Sequence, residues 1–279
     1  MERLLKRDRV ITLTGVAALS ILAWLYIVTG AGLGMSGWDM SRLLLFPHQQ
    51  AHDVMSGMPG MDMGVPATAW AAWGVATWAL MIAMWWIMMI AMMTPSATPT
   101  ILLYARVHRH ALAHGSVQDR VAPTGAFAAG YLKAWLGFAI VAATLHWALE
   151  RAGLVSAMTM GSRNGWLSGI VLITAGLYQL SPFKNICLAH CRTPASFLSQ
   201  HWRPHALGAL RLGAMHGAYC VGCCWMLMAL LFVGGVMNLT WIAALAVLVL
   251  IEKLLPLGPW AGRGVGIVLI GWGVATLVV

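Results

Sequence analysis

Long runs of apolar residues follow one another along the sequence and predict its structural elements. Most of these runs approach or exceed the roughly 20 residues that an α-helix needs to cross a bilayer. They occupy residues 10–29, 69–93, 124–150, 165–180, 207–236, 239–255 and 265–279. Apolar and polar residues do not alternate within the runs, which excludes a β-barrel. Helices are then the structure that satisfies a backbone in lipid.

The composition supports this interpretation. Hydrophobic residues make up 60% of the chain and charged residues 9%, whereas a soluble domain carries about 25% charged residues. The mean hydropathy is +0.79. The sequence therefore predicts an all-α protein, a polytopic transmembrane bundle of about seven spans. No large soluble insertion divides it, so residues 1–279 are expected to form a single membrane domain.

The basic residues indicate how the bundle is oriented. The net charge is +9, but Lys and Arg lie singly between the spans, which is atypical of nucleic-acid binding. The first run is longer than the apolar core of a secretory signal, so we expect a retained span. With a cytoplasmic N-terminus, thirteen of the seventeen Lys and Arg fall inside and three outside, and Lys133 lies within a span. This positive-inside bias predicts that a loop at about 30–69 faces out.

A cluster of thiols in the fifth run is the strongest chemical signal. Within residues 215–225, His216, Cys220, Cys223 and Cys224 fall in an arc of about 100° on a helix. Thiolates and an imidazole on one face form a ligand set for a soft metal ion. The alternative is that the cysteines pack as small hydrophobic residues. Three thiols with a histidine one turn earlier favour the metal site.

A second group of candidate ligands precedes this run. Cys187 and Cys191 are four residues apart, which places them on one helical face, and His190 lies beside Cys191. Pro194 is expected to end that helix. The charge bias places the segment on the cytoplasmic side, where it can approach the thiols of the following span.

Methionines are concentrated in the loop at about 30–69. The loop carries four methionines within nine residues, and two histidines precede them. These candidate ligands are His48, His52, Met55, Met58, Met61 and Met63. Thioethers suit Cu(I), and because they never deprotonate, their affinity persists at acidic pH. The alternative is a loop whose methionines contact lipid.

The second run carries a further stripe of methionines. Met81, Met84, Met88 and Met92 have helical spacing and span about 80° of one face. Such a stripe is consistent with core packing and equally with a ladder of metal ligands leading inward from the loop. The sequence Thr-Pro-Ser at 94–96 predicts the end of this span.

Several of these segments together resemble a known family. They are the segments 176–194 and 215–225, Met88-Met89-Ile-Ala-Met92-Met93-Thr-Pro95-Ser96, Gly235-Val-Met237-Asn238-Leu239 and Glu252-Lys253. Over residues 80–275 the chain is similar to a bacterial family of predicted metal-binding integral membrane proteins of unknown function. The resemblance implies a multi-pass, metal-binding protein of the bacterial cytoplasmic membrane and no particular activity. The methionine loop lies outside it.

Two function classes follow. In the first, the protein is a non-enzymatic copper handler that binds Cu(I) for transport, delivery or storage and exchanges it with a periplasmic metal carrier or a recipient metalloenzyme. In the second, it is a membrane thiol–disulfide oxidoreductase with Cys220 and Cys223 as its redox pair. The histidine, the third thiol and the methionines favour the metal. Zinc competes because three Cys and one His form a regular zinc set, but the methionines favour copper. No nucleotide-binding motif is present.

Overall fold

Helices make up nearly all of the described chain. The structure is a computed structural model, and it describes residues 2–30, 73–113, 122–156, 160–202, 205–255 and 258–278. The helices are α1 (Glu2–Val28), α2 (Val75–Ala113), α3 (Ala122–Arg151), α4 (Gly165–Leu180), α5 (Pro182–Arg192), α6 (Pro194–His201), α7 (Ala206–Ala229), α8 (Leu231–Gly234), α9 (Leu239–Leu254) and α10 (Gly258–Val278). No strand occurs among these residues, only one isolated bridge. The all-α prediction is confirmed.

Among the described residues, fewer helices could cross a bilayer than the seven predicted. Five are long and apolar enough, namely α1, α2, α3, α7 with α8, and α10. The pair α4 and α5 adds a sixth if it counts as one broken span. The predicted span at 239–255 is the 16-residue helix α9. At 1.5 Å per residue α9 is about 24 Å long, shorter than a hydrocarbon core of about 30 Å.

Helix α2 does not end where its prolines predicted. It continues through Pro95 and Pro99 to Ala113. A proline removes one backbone donor from a helix and leaves a carbonyl without its usual partner. The carbonyls that lose their partner are those of Ala91 and Pro95. Nearby, the Ser96 hydroxyl donates to the Met93 carbonyl at 2.8 Å and the Thr98 hydroxyl to the Thr94 carbonyl at 3.0 Å. The helix therefore continues beyond the span end predicted at 94–96.

The chain bends by 62° between α4 and α5. Ser181 forms the corner with extended backbone, and its side chain accepts a hydrogen bond from the Lys184 backbone N–H. Pro182 occupies the first turn of α5, where its missing N–H has no cost. The bend turns α5 onto α7 and so brings the two cysteines of α5 against that helix.

Two helix pairs approach each other closely through glycines. In the pair α3–α7, a Cβ at Gly213 would overlap the Phe127 carbonyl, and a Cβ at Gly130 would overlap the Leu210 carbonyl. In the antiparallel pair α4–α10, a Cβ at Gly176 would lie 2.6 Å from the Gly266 carbonyl. Small residues that let backbones approach are typical of helix pairs in membranes. These pairs frame the centre of the bundle.

The outward faces of the helices are apolar. Val10, Ile21 and Leu22 of α1 are more than half exposed, as are Val141 of α3 and Ile267 of α10. A monomeric soluble protein rarely exposes such a continuous apolar surface. The surface is compatible with a lipid environment.

Candidate metal centre

Helix α7 presents all four of its predicted ligands to the interior. His216, Cys220, Cys223 and Cys224 are each at most 2% exposed. The glycine-lined contact with α3 explains this, because it brings the face that carries His216 and Cys220 against the aromatic residues of α3. All five cysteines of the chain lie in the described residues, and all five are free thiols.

Cys220 lies at the centre of the cluster. The Lys253 ammonium of α9 donates to Cys220 Sγ at 2.8 Å and to the Ser96 hydroxyl of α2 at 3.3 Å. The Tyr131 hydroxyl of α3 lies 3.1 Å from Cys220 Sγ and donates to the Met93 carbonyl at 3.1 Å. Helices α3 and α9 therefore contact this sulfur atom of α7 directly, and α2 bonds to both of the contacting side chains.

The charge of Lys253 indicates which form of Cys220 lies beside it. The side chain is 7% exposed, and among the described residues no carboxylate lies within ion-pair distance of it. A buried charge is costly unless it is paired and hydrogen-bonded. Cys220 is the neighbour that can carry the opposite charge, and the thiolate is the form of cysteine that binds metals. The geometry is that of an ammonium–thiolate pair.

The two other thiols of α7 lie close to the same point. Cys224 Sγ donates to the Cys220 carbonyl at 2.8 Å, and Cys223 Sγ donates to that carbonyl at 3.1 Å. Cys224 Sγ also lies 3.9 Å from the thioether sulfur of Met93. The cluster thus combines thiols from α7 with a thioether from α2, and both are soft ligands.

Helix α5 contributes a fourth thiol. The Cys191 side chain interacts with those of Cys220 and Cys223. Cys187 instead faces Gly222, where an added Cβ would lie 2.9 Å from its sulfur. The predicted pair is therefore divided. Cys191 joins the cluster, and Cys187 packs against the backbone of α7.

The two predicted histidines lie beside the thiols without bonding to them. His216 packs among Phe127, Tyr131 and Phe197, with ring centroids 5.6–6.2 Å apart. Its Nδ1 is buried and has no hydrogen-bond partner among the described residues. His190 stacks on Tyr219 at 4.2 Å, and its Nδ1 lies 2.9 Å from the carbonyl one turn earlier.

A buried charge network holds the bend of α4 and α5 in place. Glu252, next to Lys253 on α9, accepts from Lys184 at 2.6 Å and from Gln179 at 2.7 Å. Lys184 also donates to the Gln179 side-chain oxygen. At the end of α5, Arg192 donates to the Leu255 carbonyl at 2.8 Å. The network fixes α5 against α9 and so positions Cys191.

The methionine stripe of α2 is buried. Met81, Met84, Met88 and Met92 are each at most 8% exposed. The stripe continues to Met93, which contacts Cys224. The burial is compatible with core packing and with a ligand ladder. The loop ligands His48, His52, Met55, Met58, Met61 and Met63 lie outside the described residues.

The donor set fits a soft ion better than a hard one. Within the described residues, no three His, Cys, Asp or Glu side chains are arranged to hold a metal ion. The zinc interpretation requires four such ligands in a tetrahedron. A Cu(I) ion takes thiolates and thioethers, so Met93 can supply a ligand beside the thiols. The side chains present suit Cu(I).

Several residues of the cluster were missed from the sequence. Lys253 was assigned to the cytoplasmic loops as a topology signal, as was Lys184, and both are buried. Lys133, the lysine expected within a span, is exposed on α3. Met93 was named only within a segment that resembles the family, and Tyr131 gave no signal at all. A charged pair at the end of an apolar run, as at Glu252 and Lys253, was the one available clue.

Comparison with known proteins gives one significant result. The family model PpoB2, described as a copper chaperone, matches residues 82–276, which is more than half of the chain. The matched region includes every cysteine and Lys253. Neither a curated protein nor a solved structure gives a significant match.

Proposed function

Because the chain belongs to the PpoB2 copper chaperone family, we propose that it is a membrane-embedded chaperone that holds Cu(I) in the thiol cluster and exchanges it with another protein. A copper-handling role follows from the family. The oxidation state, the ligands and the membrane location are the proposal. In the proposal two thiolates, Cys220 and Cys223, hold the ion, and the soft side chains of Cys191, Cys224 and Met93 lie beside them.

The contact between Lys253 and Cys220 carries the proposal. Two thiolates and one Cu(I) ion carry a net charge of −1, and an anion is costly in the interior of a membrane protein. The buried ammonium 2.8 Å from Cys220 Sγ compensates that charge. A cluster of cysteines that served only as small hydrophobic residues would not need a buried cation beside it.

The methionines supply a route to the cluster. In the proposal, the loop at about 30–69 collects copper on the periplasmic side through Met55, Met58, Met61 and Met63. The buried stripe of α2 then leads from Met81 to Met93, which lies 3.9 Å from Cys224 Sγ. Thioether ligands bind without releasing protons, whereas thiolates must be deprotonated. We expect the ion to be held more tightly by the thiols at neutral pH.

The apolar exterior supports a location in the bacterial cytoplasmic membrane. Five of the described helices meet the length and composition of a membrane span, and their outward residues are apolar. The partners would be lipid, copper and a periplasmic carrier or recipient metalloenzyme.

Competition titration with a Cu(I) chelator on the purified, reduced protein tests the proposal. Cys220→Ser and Met93→Leu should each weaken Cu(I) binding, Cys220→Ser by more, because a thiolate is lost rather than a thioether. Met215→Leu is the matched control and should bind as the wild type does, because this half-buried methionine of α7 lies about 140° round the helix from Cys220 and two turns before Cys223.

The same preparations separate this proposal from the oxidoreductase alternative. Trapping of thiols in cells should find Cys220 and Cys223 reduced, because their role is to bind the metal. A reversible Cys220–Cys223 disulfide in cells, together with unchanged Cu(I) affinity in Cys220→Ser, would contradict the copper proposal and favour thiol–disulfide exchange.

A further inference from the structure

A cavity lies between the end of α6 and the first three turns of α7. Its volume is about 340 Å³, within the range of roughly 300–1,000 Å³ for small-ligand sites. Its lining includes Gln200, His201 and Trp202 at the end of α6, and Arg211 of α7. Arg211 precedes Cys220 by nine residues, which is roughly 14 Å along α7. The cavity is therefore separate from the thiol cluster.

Positive charge and N–H donors dominate the polar lining of the cavity. None of the described residues that line it is acidic. Arg211 is exposed, and in the described ranges no carboxylate lies within ion-pair distance of its guanidinium. The amide of Gln200 and the indole of Trp202 add neutral N–H donors. The lining therefore suits a ligand that brings negative charge and acceptor oxygens.

Aromatic packing holds two of the lining side chains in place. The Trp202 ring lies with its centroid 5.2 Å from that of Tyr104 and 6.2 Å from that of His108. The His201 ring stacks on Phe197 at 5.3 Å, and its Nδ1 lies 3.1 Å from the Phe197 carbonyl. Tyr104, His108 and Phe197 are all buried. This wall of the cavity is therefore pre-formed, which lowers the entropic cost of binding a ligand.

A phosphate group matches this lining. A guanidinium binds phosphate oxygens through two parallel, charge-assisted hydrogen bonds. Leu212 and Met215 add an apolar part to the wall, so the cavity also accommodates an apolar body attached to the phosphate. The positive-inside bias predicts that this end of α7 faces the cytoplasm. Basic pockets between membrane helices on that side bind phosphate-bearing headgroups.

From these observations we infer that the cavity between α6 and α7 is an anion site that binds a phosphate group. Arg211 is its charged residue, and Gln200 and Trp202 are its neutral donors. The site goes beyond the proposed copper function and does not depend on the thiols. Two sources share this chemistry, namely the headgroup of an anionic lipid and soluble phosphate.

Two binding measurements on the full chain in detergent test the site. Native mass spectrometry counts bound phosphatidylglycerol, and calorimetric titration measures the binding of inorganic phosphate. The wild type should retain one phosphatidylglycerol more tightly than all other lipids, or bind one inorganic phosphate. Arg211→Gln should weaken that binding at least about tenfold, because hydrogen bonds to a charged group are lost. Arg211→Lys should retain part of it, since it keeps the charge without the two parallel bonds.

Arg106→Gln is the matched control, because Arg106 is an exposed arginine of α2 that does not line the cavity. It removes the same charge and should bind as the wild type does. Phosphatidylglycerol retained in excess inorganic phosphate would identify the lipid headgroup as the source, and binding of inorganic phosphate alone would identify the soluble anion. Undiminished binding in Arg211→Gln, an equal loss in Arg106→Gln, or binding of neither probe by the wild type would overturn the inference.

Discussion

Replacing Lys253 by methionine gives the sharpest test of how the thiol cluster is charged. The substitution keeps the length and apolar volume of the side chain and removes the ammonium 2.8 Å from Cys220 Sγ. Without it, Cys220 reverts to a neutral thiol in the copper-free protein. Cu(I) must then displace the proton of the Cys220 thiol, and no cation neutralises the negative charge of the copper–thiolate complex. We expect weaker copper binding and little change in the stability of the copper-free fold.

The magnitude follows from the geometry. Two unit charges 2.8 Å apart interact by about 6 kcal/mol at an effective dielectric constant of about 20. Desolvation of the ammonium offsets several kcal/mol of this attraction. A net loss of about 3 kcal/mol corresponds to an increase in Kd of about 100-fold. The copper-free protein loses a buried ion pair as a whole, which is often neutral or stabilising when apolar groups replace it.

The assay is a Cu(I) competition titration beside a thermal melt of the copper-free protein. Lys133→Met is the matched control, because Lys133 is an exposed lysine within a span. Lys133→Met should change neither the Cu(I) affinity nor the melting temperature. Lys253→Arg should retain most of the Cu(I) affinity because it keeps the positive charge. Equal affinities for Lys253→Met and the wild type, or an equal loss in Lys133→Met, would refute the role assigned to the ammonium.

Two further predictions concern the loop and the helix packing. Replacing the four methionines of the loop at 48–63 by leucine should remove the weaker Cu(I) sites, as a Cu(I) titration would measure, and should leave the thermal melt unchanged. If the copper stoichiometry were unaltered, the methionines of the loop would only contact lipid. Gly213→Ala should destabilise the fold by about 3 kcal/mol, at the upper end for overpacking, because its Cβ would overlap the Phe127 carbonyl. Gly137→Ala, where nothing lies within 4 Å, should be neutral in the same denaturation assay.

The sequence was informative about local structure and about residues that share one helix. Runs of apolar residues predicted the helices, and the spacing of Cys220, Cys223 and Cys224 predicted their common burial. Contacts between distant segments were not accessible in this way. Lys253 and Tyr131 reach Cys220 from α9 and α3, 33 and 89 residues away. The periodicity within one segment does not indicate which residues of other segments it contacts.

The continuation of α2 through its prolines shows a second limit. Proline predicts the end of a helix because it removes a backbone donor. In α2 the hydroxyls of Ser96, Thr98 and Tyr131 bond to the carbonyls near Pro95. Tyr131 belongs to α3, which packs against α2, so the continuation of the helix depends on tertiary packing. A rule based on the local sequence could not anticipate it.

The glycine contacts determine which motions are available to the bundle. Backbones that meet through Gly130 and Gly213, or through Gly176 and Gly266, cannot slide past one another without a steric clash. We therefore expect each pair to move as one rigid unit. Cys220 belongs to the pair α3–α7, and Cys191 is joined to the pair α4–α10 through the corner at Ser181. The distance between these two sulfurs then changes only if one pair moves relative to the other or if the corner at Ser181 flexes. A change in the separation of the two sulfurs would therefore accompany any movement of α10 relative to α3 and α7.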